Sequence, residues 1–411
     1  MPLMNPAYPL GHVANPRVAA RDAAYGERQR KVLNRDAHAI AAREITSWPG
    51  YERTPLHSLP ALAAKAGVDR LWYKDESGRF GLGSFKALGG AYAVLRLLIS
   101  ELARSGVAER ATAADLVARR YADAVSGVTV TCATDGNHGR SVAWGAQQFG
   151  CRCVIYVHAT VSEGRKKAIE RYGARVVVVQ GNYDDAVRQA ARDAAANGWH
   201  VVSDTSYEGY VDVPRDVMQG YTVMAQEALD QLPATELPTH VFVQGGVGGV
   251  AAAVAGHFWE TLGERRPRII VVEPDRAACI FESVRAGRLT SVHGDLDTVM
   301  AGLSCGEVSL LAWEILEEGI ADVLAVPDEA AIDCMRLLAN PVGDDPAIVA
   351  GESAVAGLAG LLLARERPSV ADALELDRDS RVLLFGTEGA TDPELYARLV
   401  GRSHLDVEAV A

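Results

Sequence analysis

The sequence predicts an α/β fold of two three-layer αβα domains with mostly parallel sheets, and three observations carry that reading. The first is a strand-helix-strand-helix-strand succession in mid-chain. Val128–Ala133, Cys151–Val157 and Arg175–Val179 are short β-branched runs separated by helical stretches, at spacings that suit parallel pairing. The second is a later set of apolar runs, His240–Gln244, Arg268–Glu273 and Arg381–Phe385. Helical patterns such as Gly249–Leu262 and Glu352–Arg367 separate them, so they read as buried strands of a second sheet. The third is size, since 411 residues with 49% hydrophobic content suit two cores better than one.

The elements follow in order. Residues 1–33 carry Pro2, Pro6, Pro9 and Pro16 without the apolar core of a signal peptide, and read as an N-terminal arm. Residues 34–87 open the large domain and end in a Gly-rich turn that leads into a helix at Lys86. The small domain takes residues 88–198, with a helical insertion at 99–126 ahead of the mid-chain strands. Its first strand runs into Asp135-Gly136-Asn137-His138-Gly139 and then a helix holding Trp144 and Ala146, and Glu163–Tyr172 forms the next helix. Residues 199–411 return to the large domain, where the aperiodic stretch Gly287–Val308 reads as a lining loop. Trp72, Trp144 and Trp313 read as packing residues.

A net charge of -12 without any basic run excludes nucleic acid and anionic membrane as expected partners. No apolar stretch approaches the roughly 20 residues of a membrane-spanning helix, and a cytoplasmic location is the default expectation. Cys151 and Cys153 share one strand face, but no second Cys or His pair completes a tetrahedral set, so no metal site is expected. Cys279 and Cys305 flank one irregular region and are the pair to watch.

Lys86 closes the run Lys74-Asp75-Glu76-Ser77-Gly78-Arg79-Phe80-Gly81-Leu82-Gly83-Ser84-Phe85-Lys86, which delivers one lysine to the start of a helix. That is how a Schiff-base lysine is presented: the amine must be held against a carbonyl and spend time neutral, which a helix N-terminus and a dry pocket favour. The plain alternative is an exposed lysine after a turn. The loop Gly245, Gly246, Val247, Gly248, Gly249 follows a buried strand and opens a helix, so its N–H groups can surround a phosphate at the positive end of the dipole. It also fits the dinucleotide fingerprint, with Glu273 ending the next strand as a ribose-binding acid, and both readings stand at this point.

These segments resemble the fold type II family of pyridoxal 5'-phosphate enzymes, the threonine dehydratase and tryptophan synthase β group. Lys74 and Glu76 through Gly83-Ser84-Phe85-Lys86 are similar to its lysine motif, Gly136-Asn137-His138-Gly139 to its cofactor-facing loop, Gly245 to Gly249 to its phosphate cup, and Thr54-Pro55-Leu56 to its N-terminal signature. Within the family the resemblance is nearest to the 2,3-diaminopropionate ammonia-lyase group. It is carried by Lys74 to Leu88, Thr134 to Arg140, Ser203-Asp204-Thr205, Met218 to Tyr221, Met300 to Leu303, Cys305-Gly306-Glu307, Gly351-Glu352-Ser353 and Thr387-Glu388-Gly389. One departure is Gly83-Ser84, which matches the wider dehydratase group where the diaminopropionate group has Asn-Ala.

The resemblance implies pyridoxal 5'-phosphate as cofactor in an interdomain cleft, a small amino acid as substrate and a homodimer. It implies that Lys86 holds the cofactor and then serves as base at Cα, that Asn137 bonds the phenolic oxygen, and that Thr387 meets the pyridine nitrogen. Asp135 would take the Cα proton of the D isomer, and His138 would be a structural residue of the loop. Asp204 would recognise a β-ammonium group, the cation that a buried carboxylate needs. The implied reaction is α,β-elimination of 2,3-diaminopropionate to pyruvate and two ammonia. The rivals are serine or threonine dehydration, nicotinamide-dependent oxidoreduction through the glycine loop, and a non-enzymatic carrier of the cofactor.

Overall fold

The computed structural model describes residues 3–233 and 235–409. Its strands, in chain order, are β1 (Gly11–Ala14), β2 (Leu56–Ser58), β3 (Arg70–Asp75), β4 (Thr129–Ala133), β5 (Arg152–His158), β6 (Arg175–Val179), β7 (His200–Val201), β8 (His240–Gln244), β9 (Arg268–Pro274), β10 (Asp322–Val326) and β11 (Arg381–Gly386). The chain divides into two compact units. One comprises residues up to Asn34, Arg53–Gly78 and everything from Ala225 on; the other comprises Arg35–Glu52 and Arg79–Met224. The sequence reading runs the large domain to residue 87 and resumes it at 199, whereas here Lys86 and residues 199–224 fall with the small sheet.

The first unit holds a seven-stranded sheet in the order β1-β10-β9-β8-β11-β3-β2. The five central strands are parallel, and only β1 on β10 and β2 on β3 run antiparallel. Every residue of β8 and β10 is buried, as expected of strands covered on both faces. Phe242, Ile270, Val272, Leu324 and Leu384 pack with Leu358, Leu361 and Leu362 of helix Ala356–Arg365 in one core. Burying each such side chain contributes roughly 1.5–3 kcal/mol. The N-terminal arm is tied down here, because β1 pairs in register with β10, Gly11 to Ala325 through Ala14 to Asp322.

The second unit holds a four-stranded parallel sheet in the order β6-β5-β4-β7, packed through Val154 and Tyr156 on Ala186 and Ala190 of helix Tyr183–Asn197. Between Ile99 and Ser126 lie the end of helix Lys86–Arg104 and two short helices, Ala113–Val117 and Ala122–Val125. The Lys86 helix lies tight on helix Asn137–Phe149: a Cβ on Gly145 would come 2.8 Å from Ala91 Cα, so only glycine fits there. Ser141 Oγ reaches across this contact, donating to Lys86 O at 2.7 Å and accepting from Ala91 N at 3.1 Å, which fixes the start of the Lys86 helix.

Candidate active site

In the second unit the turn before Lys86 depends on left-handed backbone, with Gly83 at φ +77° and Phe80 also at positive φ. Phe80 holds that conformation through its ring, packed 4.8 Å from Trp144 and 5.8 Å from Trp48. Lys86 then begins the helix, and its Nζ stands 2.5 Å from Asp204 Oδ2 and over the rings of Phe85 and Tyr221. Burial alone would raise the Asp204 carboxyl, but Lys86 and then His138 outweigh it and hold the group well below the usual carboxylate range. His138 donates Nε2–H to Val202 O at 2.7 Å, and its Nδ1, 3.8 Å from Asp204 Oδ2, has no hydrogen-bond partner among the described residues. Burial lowers His138, with Lys86 acting in the same sense and Asp204 against it, so the ring is neutral at neutral pH.

Asp135 and Asn137 occupy the turn between β4 and helix Asn137–Phe149. Thr134 Oγ1 accepts from Gly136 N at 2.9 Å and Gly139 N at 3.1 Å, so the turn caps itself and leaves the neighbouring side chains for other work. Asn137 is half-buried, and its Oδ1 accepts from Arg140 Nη2 at 3.3 Å. Asp135 Oδ1 stands 2.6 Å from His158 Nε2, and His158 Nδ1 stands 2.8 Å from Thr160 Oγ1. Register produces both groupings. Ala133 pairs with Tyr156 and Thr131 with Val201, so the carboxyl end of β4 lies between His158 on one neighbour and the Asp204 loop on the other. Ligands of parallel sheets bind at that edge.

In the first unit β8 runs into the glycine loop, and helix Gly249–Leu262 starts at Gly248 (φ +89°) with no side-chain cap. Val247 O accepts from Ser309 N at 2.9 Å, which anchors the loop. A Cβ on Gly245 would come 2.6 Å from Val271 Cγ1, and one on Gly248 would come 2.8 Å from Leu316 Cδ1, so packing disfavours a side chain at these two positions. Cys279 Sγ donates to Gly246 O at 3.4 Å, and Cys305 Sγ also lies against Gly246. Thr387 is buried just past β11, the parallel neighbour of β8, so it and the glycine loop share the carboxyl edge of this sheet.

Glu273 is not placed to hold a ribose. It is fully buried and accepts Ile280 N at 3.0 Å and Phe281 N at 2.7 Å, capping helix Cys279–Ala286. Lys74, the other lysine of the motif, is wholly buried and donates to Thr54 O, Glu227 Oε2 and Gln231 Oε1 at 2.7–2.8 Å, so all three of its protons are spent on structure. Sequence reasoning missed His158 and Thr160, and it named Tyr221 only within a motif, without a role at Lys86. The signal for His158 was available: it ends the strand beside β4, at the same level as Asp135.

Comparison with known proteins accounts for each of these two features, the helix-start lysine and the glycine loop. Residues 47–387 match the family described as pyridoxal-phosphate dependent enzyme. The chain belongs to that family. It is 42% identical over 357 residues to the diaminopropionate ammonia-lyase of Escherichia coli K12, covering 85% of this chain and 88% of that one. It is 40% identical over 366 residues to the diaminopropionate ammonia-lyase of Salmonella typhimurium, covering 86% and 90%. The crystal structure of the holo diaminopropionate ammonia-lyase from E. coli superposes with a TM-score of 0.86 at 37% identity, over 96% of this chain and 97% of that one.

The pyridoxal-phosphate cofactor that the family uses fits the residues present. The uncapped N-terminus of a 14-residue helix behind bare glycines suits its phosphate, and the carboxylate-paired amine of Lys86 suits its aldehyde. A nicotinamide dinucleotide does not fit in its place, because the acid required for the ribose is consumed as a helix cap.

Proposed function

We propose that this enzyme is a carbon-nitrogen lyase that converts 2,3-diaminopropionate to pyruvate and two ammonia, with Lys86, Asp135 and Asp204 as its catalytic residues. Bound pyridoxal phosphate supplies an aldehyde for the substrate amine and a ring that takes up the electrons left when Cα loses its proton. Gly245, Gly246, Val247, Gly248 and Gly249 would hold its phosphate through backbone N–H groups, Asn137 its phenolic oxygen and Thr387 its pyridine nitrogen. A hydroxyl at Thr387 would leave that nitrogen unprotonated, which would weaken electron withdrawal and favour prompt loss of a β-substituent.

Lys86 Nζ would hold the aldehyde and, once free of it, would accept the Cα proton of the L isomer. Asp135 accepts the Cα proton of the D isomer. The observation that carries the substrate choice is the Lys86–Asp204 pair. Once Lys86 is engaged elsewhere, the part-buried Asp204 carboxylate has lost its nearest cation, and an unpaired buried charge costs several kcal/mol. The β-ammonium group of diaminopropionate replaces it; the hydroxyl of serine or threonine brings no charge. The E. coli and Salmonella relatives, both named for diaminopropionate, support the same choice. A homodimer belongs to this proposal on the family resemblance, and a cytoplasmic location as the default expectation. Among the described residues, no helix is long and apolar enough to cross a membrane.

Serine dehydration has one observation in its favour, the Gly83-Ser84 pair before Phe85-Lys86. The test is product stoichiometry with both isomers of diaminopropionate beside serine and threonine. Two ammonia per pyruvate from diaminopropionate, at the highest kcat/KM of the panel, supports the proposal. A clear preference for serine or threonine, at one ammonia per keto acid, rejects it.

A further inference from the structure

Asp135 and Asp204 are each backed by a histidine, but the two histidines face different things. His138 turns its far nitrogen to a backbone carbonyl, Val202 O, which cannot pass a proton on. His158 turns its far nitrogen to Thr160 Oγ1 at 2.8 Å, and Thr160 is exposed. We propose that His158 and Thr160 form a proton exit behind Asp135, with His158 a positioning residue that holds the Asp135 carboxylate and resets it after each turnover. The inference rests on the reading of Asp135 as the base for the D isomer.

The geometry is built by the sheet. His158 is the last residue of β5 and Asp135 follows the end of β4, so register sets the 2.6 Å contact between His158 Nε2 and Asp135 Oδ1. The residue paired with His158 on β6 is the apolar Val179. From helix Glu163–Glu170, Arg165 donates Nη1 to Asp135 O at 3.3 Å. The ring therefore faces one carboxylate and one hydroxyl, with the Arg165 cation beyond the carboxylate's backbone.

The proton balance closes. With Nε2 protonated, His158 donates to Asp135 and Thr160 donates to Nδ1, so Asp135 is held as an anion ready to accept a proton. When Asp135 has gained the Cα proton, the ring first trades its Nε2 proton for one on Nδ1 through water, with no net proton moved; Asp135 O–H then gives its proton to Nε2, Nδ1–H gives one to Thr160 Oγ1, and Thr160 releases its own to water. One proton leaves, Asp135 is again an anion and His158 is again neutral. Asp204 has no such exit, which suits a residue that holds a cation rather than cycling a proton.

The test uses the cofactor-loaded enzyme with both diaminopropionate isomers across pH, as wild type, His158→Gln and Thr160→Val, together with ring-nitrogen NMR of His158 in wild type and Asp135→Asn. His158→Gln should lower the D to L ratio of kcat by about tenfold, on the scale of a small part of a general-base effect, with KM little changed and with partial rescue by added imidazole. Thr160→Val should lower the same ratio less. In Asp135→Asn the His158 Nε2 signal should move, because the oxygen pair that it faces at 2.6 Å is replaced by an amide. Parallel loss with both isomers, or a loss confined to KM, overturns the exit. If the wild type turns over neither isomer, the substrate reading has failed on its own. The NMR then decides the pairing, and an unchanged His158 Nε2 signal in Asp135→Asn overturns it.

Discussion

Lys86 Nζ and Asp204 Oδ2, 118 residues apart in sequence, form a 2.5 Å ion pair in which both side chains keep less than a fifth of their surface exposed (19% and 17%). In the proposed complex the β-ammonium group takes the place of Lys86 in this pair, and removing the carboxylate leaves that group uncompensated, which costs about 3–5 kcal/mol in a fully buried setting. Asp204→Asn should therefore lower kcat/KM for diaminopropionate by roughly 100-fold, equivalent to about 3 kcal/mol. Any turnover of serine should fall much less. Steady-state kinetics on the two substrates decide it, and equal losses remove Asp204 from β-ammonium recognition.

Asp135→Asn keeps the size and the acceptor oxygen of the side chain but removes its basicity. Turnover of the D isomer should fall by about 100-fold or more, the scale of a general base, and further than that of the L isomer. Equal losses with both isomers contradict a base specific to one face of Cα.

Gly248→Ala tests the phosphate cup. The residue sits at φ +89°, and its new Cβ would press on Leu316 Cδ1 at 2.8 Å. Left-handed backbone costs about 1–2 kcal/mol for a residue with a Cβ, so the melting temperature should drop. Dialysis should strip cofactor faster from the variant than from wild type, and equal retention would separate the loop from phosphate binding.

Much of this fold was legible because its central strands are parallel and covered on both faces, which makes them unbroken apolar runs. His240–Gln244 appears with the bounds read from sequence, as do the edge strand Arg175–Val179 and helix Gly249–Leu262. The missed strands hide their nature behind charge. β3 holds Lys74, whose ammonium is buried among Thr54, Glu227 and Gln231, and β10 opens on Asp322, which is buried against His12 and Arg268. Each charge is neutralised by a residue distant in sequence, so no local pattern shows that it can be buried. β1 and β2 are edge strands of four and three residues, too short to show a period. The same limit applies at the site. The lysine turn and the glycine loop are local motifs and could be read directly, whereas the His158 contact with Asp135 exists only through β4–β5 register.

Glu273 makes stability depend on pH. Burial pushes its carboxyl up to about 8, overcoming the two N–H groups that cap it. The unfolded value is about 4.3, so between about pH 4 and pH 8 the folded chain holds a proton that the unfolded chain releases. This contribution is complete below about pH 4 and is lost as pH rises through 8. Wild type should melt at a lower temperature at pH 8.5 than at pH 6, and Glu273→Gln should flatten that difference. A variant with the wild-type slope would place the origin elsewhere.

Lys86 as the lysine that holds the cofactor is the claim on which the remaining roles depend. Borohydride reduction of the cofactor-loaded protein, followed by peptide mass spectrometry, reads it directly. The account predicts a reduced pyridoxyl adduct on the peptide that contains Lys86 and loss of that adduct in Lys86→Ala. An adduct on the fully buried Lys74 or on any other lysine, or an adduct that survives Lys86→Ala, contradicts it.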